Sequence, residues 1–184
     1  MKSDIALLIL GLSLTIGLNV KAQSVNEKND SVEVINTFKN LFHYQNFYIG
    51  GQPALETLQW LKSQGVNKII NLCTEKEIDH FSENAYNEMT NAENLGFVYH
   101  NVPVDASKDY TPEKLALFSN YLTGNEKVLI HCAGGWRATD FFMAYLIKNR
   151  GYSINQAVEI GKKLKYSLPL EKLLEIEISM NVTE

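Results

Sequence analysis

The sequence predicts an α/β fold, a mostly parallel central sheet flanked by helices in a single domain. Three observations carry that expectation. Short β-branched runs at 68–72 and 128–130 alternate with helix-length amphipathic segments such as 137–150, the pattern that calls for crossover connections. Helical stretches are punctuated by Pro at the start and Gly at the stop, as at Pro53 and Gly65. The 184 residues, 45% hydrophobic and 21% charged, suffice for one sizeable core and require no second domain.

Taken in order, residues 1–22 read as a signal peptide. The apolar stretch 5–18 is shorter than the roughly 20 residues of a membrane span, and Val20-Lys21-Ala22 is a small-residue cleavage pattern. An uncleaved anchor is the alternative; export to the periplasm or medium is the expectation, with no stable membrane insertion after cleavage. Residues 23–30 read as a flexible polar leader, and 31–184 as the folded domain. Within it, Val34, Ile35, Phe38, Leu41 and Phe42 suggest an entry helix over 31–42, and 47–49 a short strand. A helix follows from Pro53 to about Gln64, then a strand at 68–72, a polar helix over 82–95 closed by Gly96, and a strand at 97–104. Thr111 is a plausible cap with Pro112 at the first helical position of a helix through Leu122. After the strand at 128–130 come helices at 137–150, 154–164 and 169–180.

Chemistry concentrates where the strand at 128–130 runs into His131-Cys132-Ala133-Gly134-Gly135-Trp136-Arg137. A cysteine in a strand-to-helix turn faces free amides and the positive end of a helix dipole, which favour thiolate over thiol. The same amides of Ala133, Gly134, Gly135 and Trp136 can hold a tetrahedral anion. Glycines let the backbone curl inward, and the Arg137 guanidinium can grip two oxygens at once. A cation at a helix start is unfavourable unless an anion offsets it, so Arg137 reads as a clamp.

His131-Cys132-xxxx-Arg137 resembles the signature loop of the cysteine-dependent protein tyrosine phosphatase superfamily, in a bacterial dual-specificity-like branch with a short loop. Residues 47–53 (Phe-Tyr-Ile-Gly-Gly-Gln-Pro), 61–66 and 69–72 also resemble its small bacterial members. The loop has four residues between Cys and Arg where the superfamily usually has five, and a loop of that length is also similar to that of the rhodanese sulfurtransferases. The resemblance implies a protein tyrosine phosphatase-like domain, with Cys132 attacking phosphorus to form a phosphocysteine and Arg137 binding the phosphoryl oxygens. It places a general acid near Asp105, where 102–105 leaves the sheet; Asp109 is the alternative, and either carboxylate could instead cap the next helix. Family members usually carry a hydroxyl directly after the arginine; here Ala138 stands there and Thr139 one place later.

Other residues keep two readings each. His131 orients the loop or is a satisfied buried imidazole, and Trp136 walls the pocket or packs in the core. Gln52 positions water or substrate or caps a helix. Asp140 reads as structural, complementing the dipole and able to pair with Arg137. Cys73, ending the strand at 68–72 at the same sheet edge as Cys132, is either a redox partner that captures Cys132 as a reversible disulfide or a packing residue.

Net charge is −4, and loss of Lys2, Lys21 and Asp4 with the signal peptide turns it into −5. No basic stripe is present, so nucleic acid is not an expected partner. His43, His80, His100 and His131 lack ligand-like spacing with the cysteines, so neither a metal nor another cofactor is expected. The expected partner is a phosphorylated protein or small molecule. Three functions stay open: an exported phosphatase acting on phosphotyrosine-like or small phosphomonoesters, a rhodanese-like sulfurtransferase, and a noncatalytic phosphate-binding module.

Overall fold

The computed structural model describes residues 31–82, 86–105, 108–164 and 170–175. The signal-peptide and leader expectations, and half of the helix expected over 169–180, lie outside them. Six strands form one sheet: β1 (Glu33–Val34), β2 (Leu41–Tyr44), β3 (Phe47–Gly50), β4 (Val66–Asn71), β5 (Val98–Asn101) and β6 (Lys127–His131), in the spatial order β1-β2-β3-β6-β4-β5. The pairs β3·β6, β6·β4 and β4·β5 are parallel, and the β1-β2-β3 edge is antiparallel. The mostly parallel sheet flanked by helices is therefore the observed architecture.

The entry helix expected over 31–42 is not there. Its 3.6-spaced apolar residues belong to β1, a turn and β2. The turn is set by Asn40 at φ 58° and by bonds from the Ile35 N–H to the Leu41 carbonyl and from the Phe38 N–H to the Ile35 carbonyl. Pairing of β2 with β3 places Leu41 and Tyr44 in the core, a burial that a helix here would forgo.

Seven helices are described: α1 (Leu55–Ser63), α2 (Glu75–Ser82), α3 (Glu88–Asn94), α4 (Pro112–Asn120), α5 (Trp136–Arg150), α6 (Ile154–Lys163) and α7 (Leu170–Leu174). Of the helix expected over 82–95, α3 supplies 88–94, and α2, which the pattern did not mark, ends at Ser82 before it. Asn87 starts α3 by accepting the Thr90 N–H at 2.9 Å. The strand expected over 97–104 is regular only through Asn101. Among the described residues no helix is long and apolar enough to cross a membrane.

Strand alternation feeds a core on each face of the sheet. Phe47, Ile49, Ile70, Val128 and Ile130 pack with α4, α5, α6 and α7. Tyr48, Ile69 and Leu129 pack with residues of α1 and α3. Helix α5 is buried from Ala138 to Leu146 and carries Phe141, Phe142 and Tyr145 into the first core. Central β6 thus aims Val128, Ile130 and Cys132 at one face, and Leu129 and His131 at the other.

Candidate active site

The carboxyl ends of β3, β6 and β4 lie side by side, and Cys132 leaves the middle one, where open parallel sheets form their crevices. Its side chain is buried, and the Gly135 N–H donates to its Sγ at 3.1 Å, so the bend does turn an amide onto the sulfur. Gly135 stands at φ 97°, and a Cβ there would come within 3.2 Å of the Gly50 carbonyl carbon. Only glycine accepts both conditions. The loop is pinned to the β3–α1 connection: the Gln52 N–H donates to the Ala133 carbonyl at 3.1 Å, and the Cys132 N–H to the Gly50 carbonyl at 3.4 Å.

Arg137 is held from several sides. Its Nη1 donates to Glu77 Oε2 at 2.9 Å and to the carbonyls of Val104 and Leu72 at 2.8 and 3.2 Å; Nη2 donates to Glu77 Oε1 at 2.6 Å. Of the five guanidinium N–H groups, Nε–H and one on Nη2 are left without an acceptor among the described residues, a pair suited to two oxygens of one anion. Burial opposes the charge on Arg137, but the Glu77 hydrogen bonds and the nearby Cys132 outweigh it and make the guanidinium more basic than usual. Burial likewise opposes ionisation of Glu77, yet bonds from Arg137 and Thr74 hold its carboxyl below the usual range.

Sequence reading did not find Glu77, although a signal was present. Thr74-Glu75-Lys76-Glu77 is a capping box: the Glu77 N–H donates to Thr74 Oγ1 at 3.3 Å, and the Thr74 N–H returns a bond to Glu77 Oε2 at 2.8 Å. The box both starts α2 and fixes the carboxylate that aims Arg137.

Asp105 lines an open hollow with Thr74, Glu77, Val104 and Arg137. Its Oδ2 lies 3.5 Å from Lys108 Nζ, a solvent-exposed pairing that holds the carboxylate only weakly. Asp109 is committed elsewhere: its Oδ2 accepts the Asp105 N–H at 2.9 Å and lies 3.7 Å from Lys114 Nζ. Thr111 caps α4 by accepting the Lys114 N–H at 3.2 Å, so neither aspartate is the cap.

Several alternatives resolve. The Thr139 hydroxyl donates to the Gly135 carbonyl at 3.0 Å, the usual back-bond of a helical threonine, and not to the sulfur. Trp136 is 54% exposed, which excludes a core role. Asp140 accepts the Tyr110 hydroxyl at 2.7 Å and braces α5. Gln52 caps no helix; α1 has Ala54 at its N-cap and no side-chain cap, and Gln52 Nε2 donates to Glu88 Oε2 at 2.5 Å. His131 is buried, and its Nε2 lies 2.8 Å from Glu88 Oε1. Cys73 and Cys132 are both free and buried. Burial, reinforced by the Glu77 charge, pushes the Cys73 thiol well above its ordinary range, and its Sγ sits 3.8 Å from Gln52 Oε1. Among the described residues no group of three or more His, Cys, Asp and Glu is placed to hold a metal ion.

A family model described as DSP-PTPase phosphatase fused to NAD+ kinase matches residues 21–171. Comparison with curated proteins finds no match. Solved structures share the fold: Tk-PTP in its active form is 20% identical with a TM-score of 0.57 over 70% of this chain and 91% of that one. TpbA of P. aeruginosa is 17% identical with a TM-score of 0.55, over 72% and 78%. PTPMT1 in complex with PI(5)P is 22% identical with a TM-score of 0.53, over 70% and 88%. With its family model spanning most of the sequence, and its cysteine and arginine closing one bend on that fold, the chain belongs to the dual-specificity-type branch of the cysteine-dependent protein tyrosine phosphatases, a family of phosphoric monoester hydrolases.

Proposed function

We propose that the protein is an exported phosphatase that cleaves phosphomonoesters through a phosphocysteine on Cys132. The observation that carries this reading is the Arg137 guanidinium, fixed by Glu77 with two N–H groups to spare, beside a sulfur that accepts the Gly135 amide. The Cys132 thiolate attacks phosphorus as the P–O bond to the alcohol breaks. Asp105, in the same hollow as Arg137, gives its proton to the leaving oxygen and then takes one from the water that cleaves the S–P bond. Phosphate and a free thiolate result, with no net redox change. Amides of Ala133, Gly134, Gly135 and Trp136, with Arg137, bind the phosphoryl oxygens as negative charge builds on them.

The loop carries no lysine, so a singly phosphorylated protein or small-molecule ester fits better than a polyanionic headgroup. Export rests on residues 1–22, and the first residue of the protein recovered outside the cytoplasm tests it: Gln23 is expected, and Met1 contradicts export with cleavage.

The chemistry is tested by assaying the protein with an aryl phosphate and, separately, with thiosulfate plus cyanide. Phosphate release is expected to fall on the order of 10⁴-fold or more in Cys132→Ser and about 10²-fold in Asp105→Asn. Thiocyanate production instead would make the protein a sulfurtransferase. Binding of a phosphate analogue without turnover would make it a noncatalytic module.

A further inference from the structure

Asp105 lies one residue beyond the point where its segment is held by the sheet. The Val102 N–H donates to the Asn71 carbonyl at 2.8 Å and the Val104 N–H to the Leu72 carbonyl at 3.2 Å, the last such bonds among the described residues. Past Val104 the backbone is held from the side of α4. The Asp105 carbonyl accepts the N–H groups of Lys108 and Asp109 at 2.9 and 2.8 Å, and the Asp109 carboxylate accepts the Asp105 N–H at 2.9 Å, so the two aspartates are bonded in both directions. Lys114, in the first turn of α4, reaches back to both ends of this arrangement. Its Nζ donates to the Pro103 carbonyl at 2.9 Å and lies 3.7 Å from Asp109 Oδ2. One ammonium group thus ties the strand that enters Asp105 to the turn that leaves it, while Asp105 itself lines the hollow shared with Arg137.

An ion pair this long and partly exposed adds little stability. What it supplies is position. A general acid works only within hydrogen-bond reach of the oxygen it protonates, and a misplacement of about 1 Å can cost on the order of 10²-fold in rate. We propose that Lys114 and Asp109 are positioning residues for the proton transfer: they hold the Asp105 backbone so that its carboxyl meets the leaving oxygen of an ester whose phosphoryl group is gripped by Arg137. Neither exchanges a proton with substrate; the proton passes from Asp105 to the leaving oxygen as the P–O bond breaks.

The proposal rests on Asp105 as the proton donor of the reading above, and two esters separate its failure from the failure of that reading. Phenyl phosphate expels a phenolate as basic as that of tyrosine, with a pKa of about 10, and needs the proton. The phenolate of 2,4-dinitrophenyl phosphate is weakly basic and departs unaided. The readout is the ratio of kcat/KM for the two, which the fraction of folded protein does not alter. Lys114→Met keeps the aliphatic stem and removes the ammonium, and is expected to lower the phenyl-to-dinitrophenyl ratio about tenfold. Asp109→Ala should do the same, and Asp109→Asn, which still accepts the Asp105 N–H, should restore the ratio. In Asp105→Asn/Lys114→Met the second change should cost nothing further, because no proton is left to position. An unchanged ratio in Lys114→Met, additive losses in the double variant, or a loss in Asp109→Asn as large as in Asp109→Ala overturns the proposal. A wild type that cleaves neither ester sinks the phosphatase reading and the positioning role together; one that cleaves both, with the ratio unmoved in Lys114→Met, sinks the positioning role alone. Should Lys114→Met not fold, amide hydrogen exchange of the wild type decides: the Asp105 amide is expected to be protected like that of Val104, and exchange at the open-chain rate overturns the proposal.

Discussion

Arg137 shows how far a single side chain depends on its setting. A lone arginine at a helix start is repelled by the dipole, and a mobile one would bind an anion in many poses. Glu77 removes both problems, balancing the charge and holding Nη1 and Nη2 in place. Glu77→Gln leaves shape but weakens the fork, so kcat/KM for an aryl phosphate should drop about 10- to 100-fold, checked by steady-state kinetics. A drop no larger than twofold would mean that the backbone carbonyls of Leu72 and Val104 suffice. Glu77 also links the site to stability. Its carboxyl ionises more readily folded than unfolded, so it stabilises the protein above its unfolded value of about 4.3 and loses that contribution as pH falls through the lower folded value. Below about pH 4 the urea midpoint of wild type should therefore fall more steeply than that of Glu77→Gln. Cys132, Arg137, the two glycines and Asp105 were legible at this scale because their types and spacing are local. Glu77 and Glu88 were not, since each meets its partner only when separate crossovers bring β4, α3 and β6 together.

At the scale of elements, sequence patterns succeeded where helix and strand signals agree and failed where they compete. Pro112 after a capping Thr111 marked the start of α4 correctly, and the α5 boundary fell within one residue of its expected position. Residues 31–42 carry helical spacing, yet cross-strand pairing of β1, β2 and β3 prevails, because the antiparallel edge covers a sheet flank that a helix could not pair with. Helix α2 was missed because its residues are polar, none is buried, and its cap box was the one local sign of it. The α5–α6 contact offers a test of packing. A Cβ on Gly161 would stand 1.9 Å from Met143 Sδ, and Met143 is fully buried. Gly161→Ala should lower stability by about 1–3 kcal/mol, and shortening the neighbour in Gly161→Ala/Met143→Ala should make the two losses less than additive in urea unfolding. Strict additivity would separate the two residues.

The molecule as a whole divides its labour between the faces of one sheet. One core, filled by α5 aromatics, buries Cys132; the other, backed by α1 and α3, carries the polar cluster of Gln52, Asn71, Glu88 and His131 behind it. The fold class was readable from strand and helix alternation because a mostly parallel sheet demands that rhythm. The order β1-β2-β3-β6-β4-β5 was not, since nothing local states which strands are neighbours. What ties the faces together is a covalent bond between His131 and Cys132 at the carboxyl end of the central strand. We propose that this cysteine sulfur takes the phosphoryl group. Acid quenching during turnover of an aryl phosphate by the Asp105→Asn protein, followed by peptide mass mapping, decides whether it does. A phosphoryl adduct is expected on the peptide bearing Cys132; turnover with that peptide unmodified, or modified as a persulfide, would rule the phosphocysteine out.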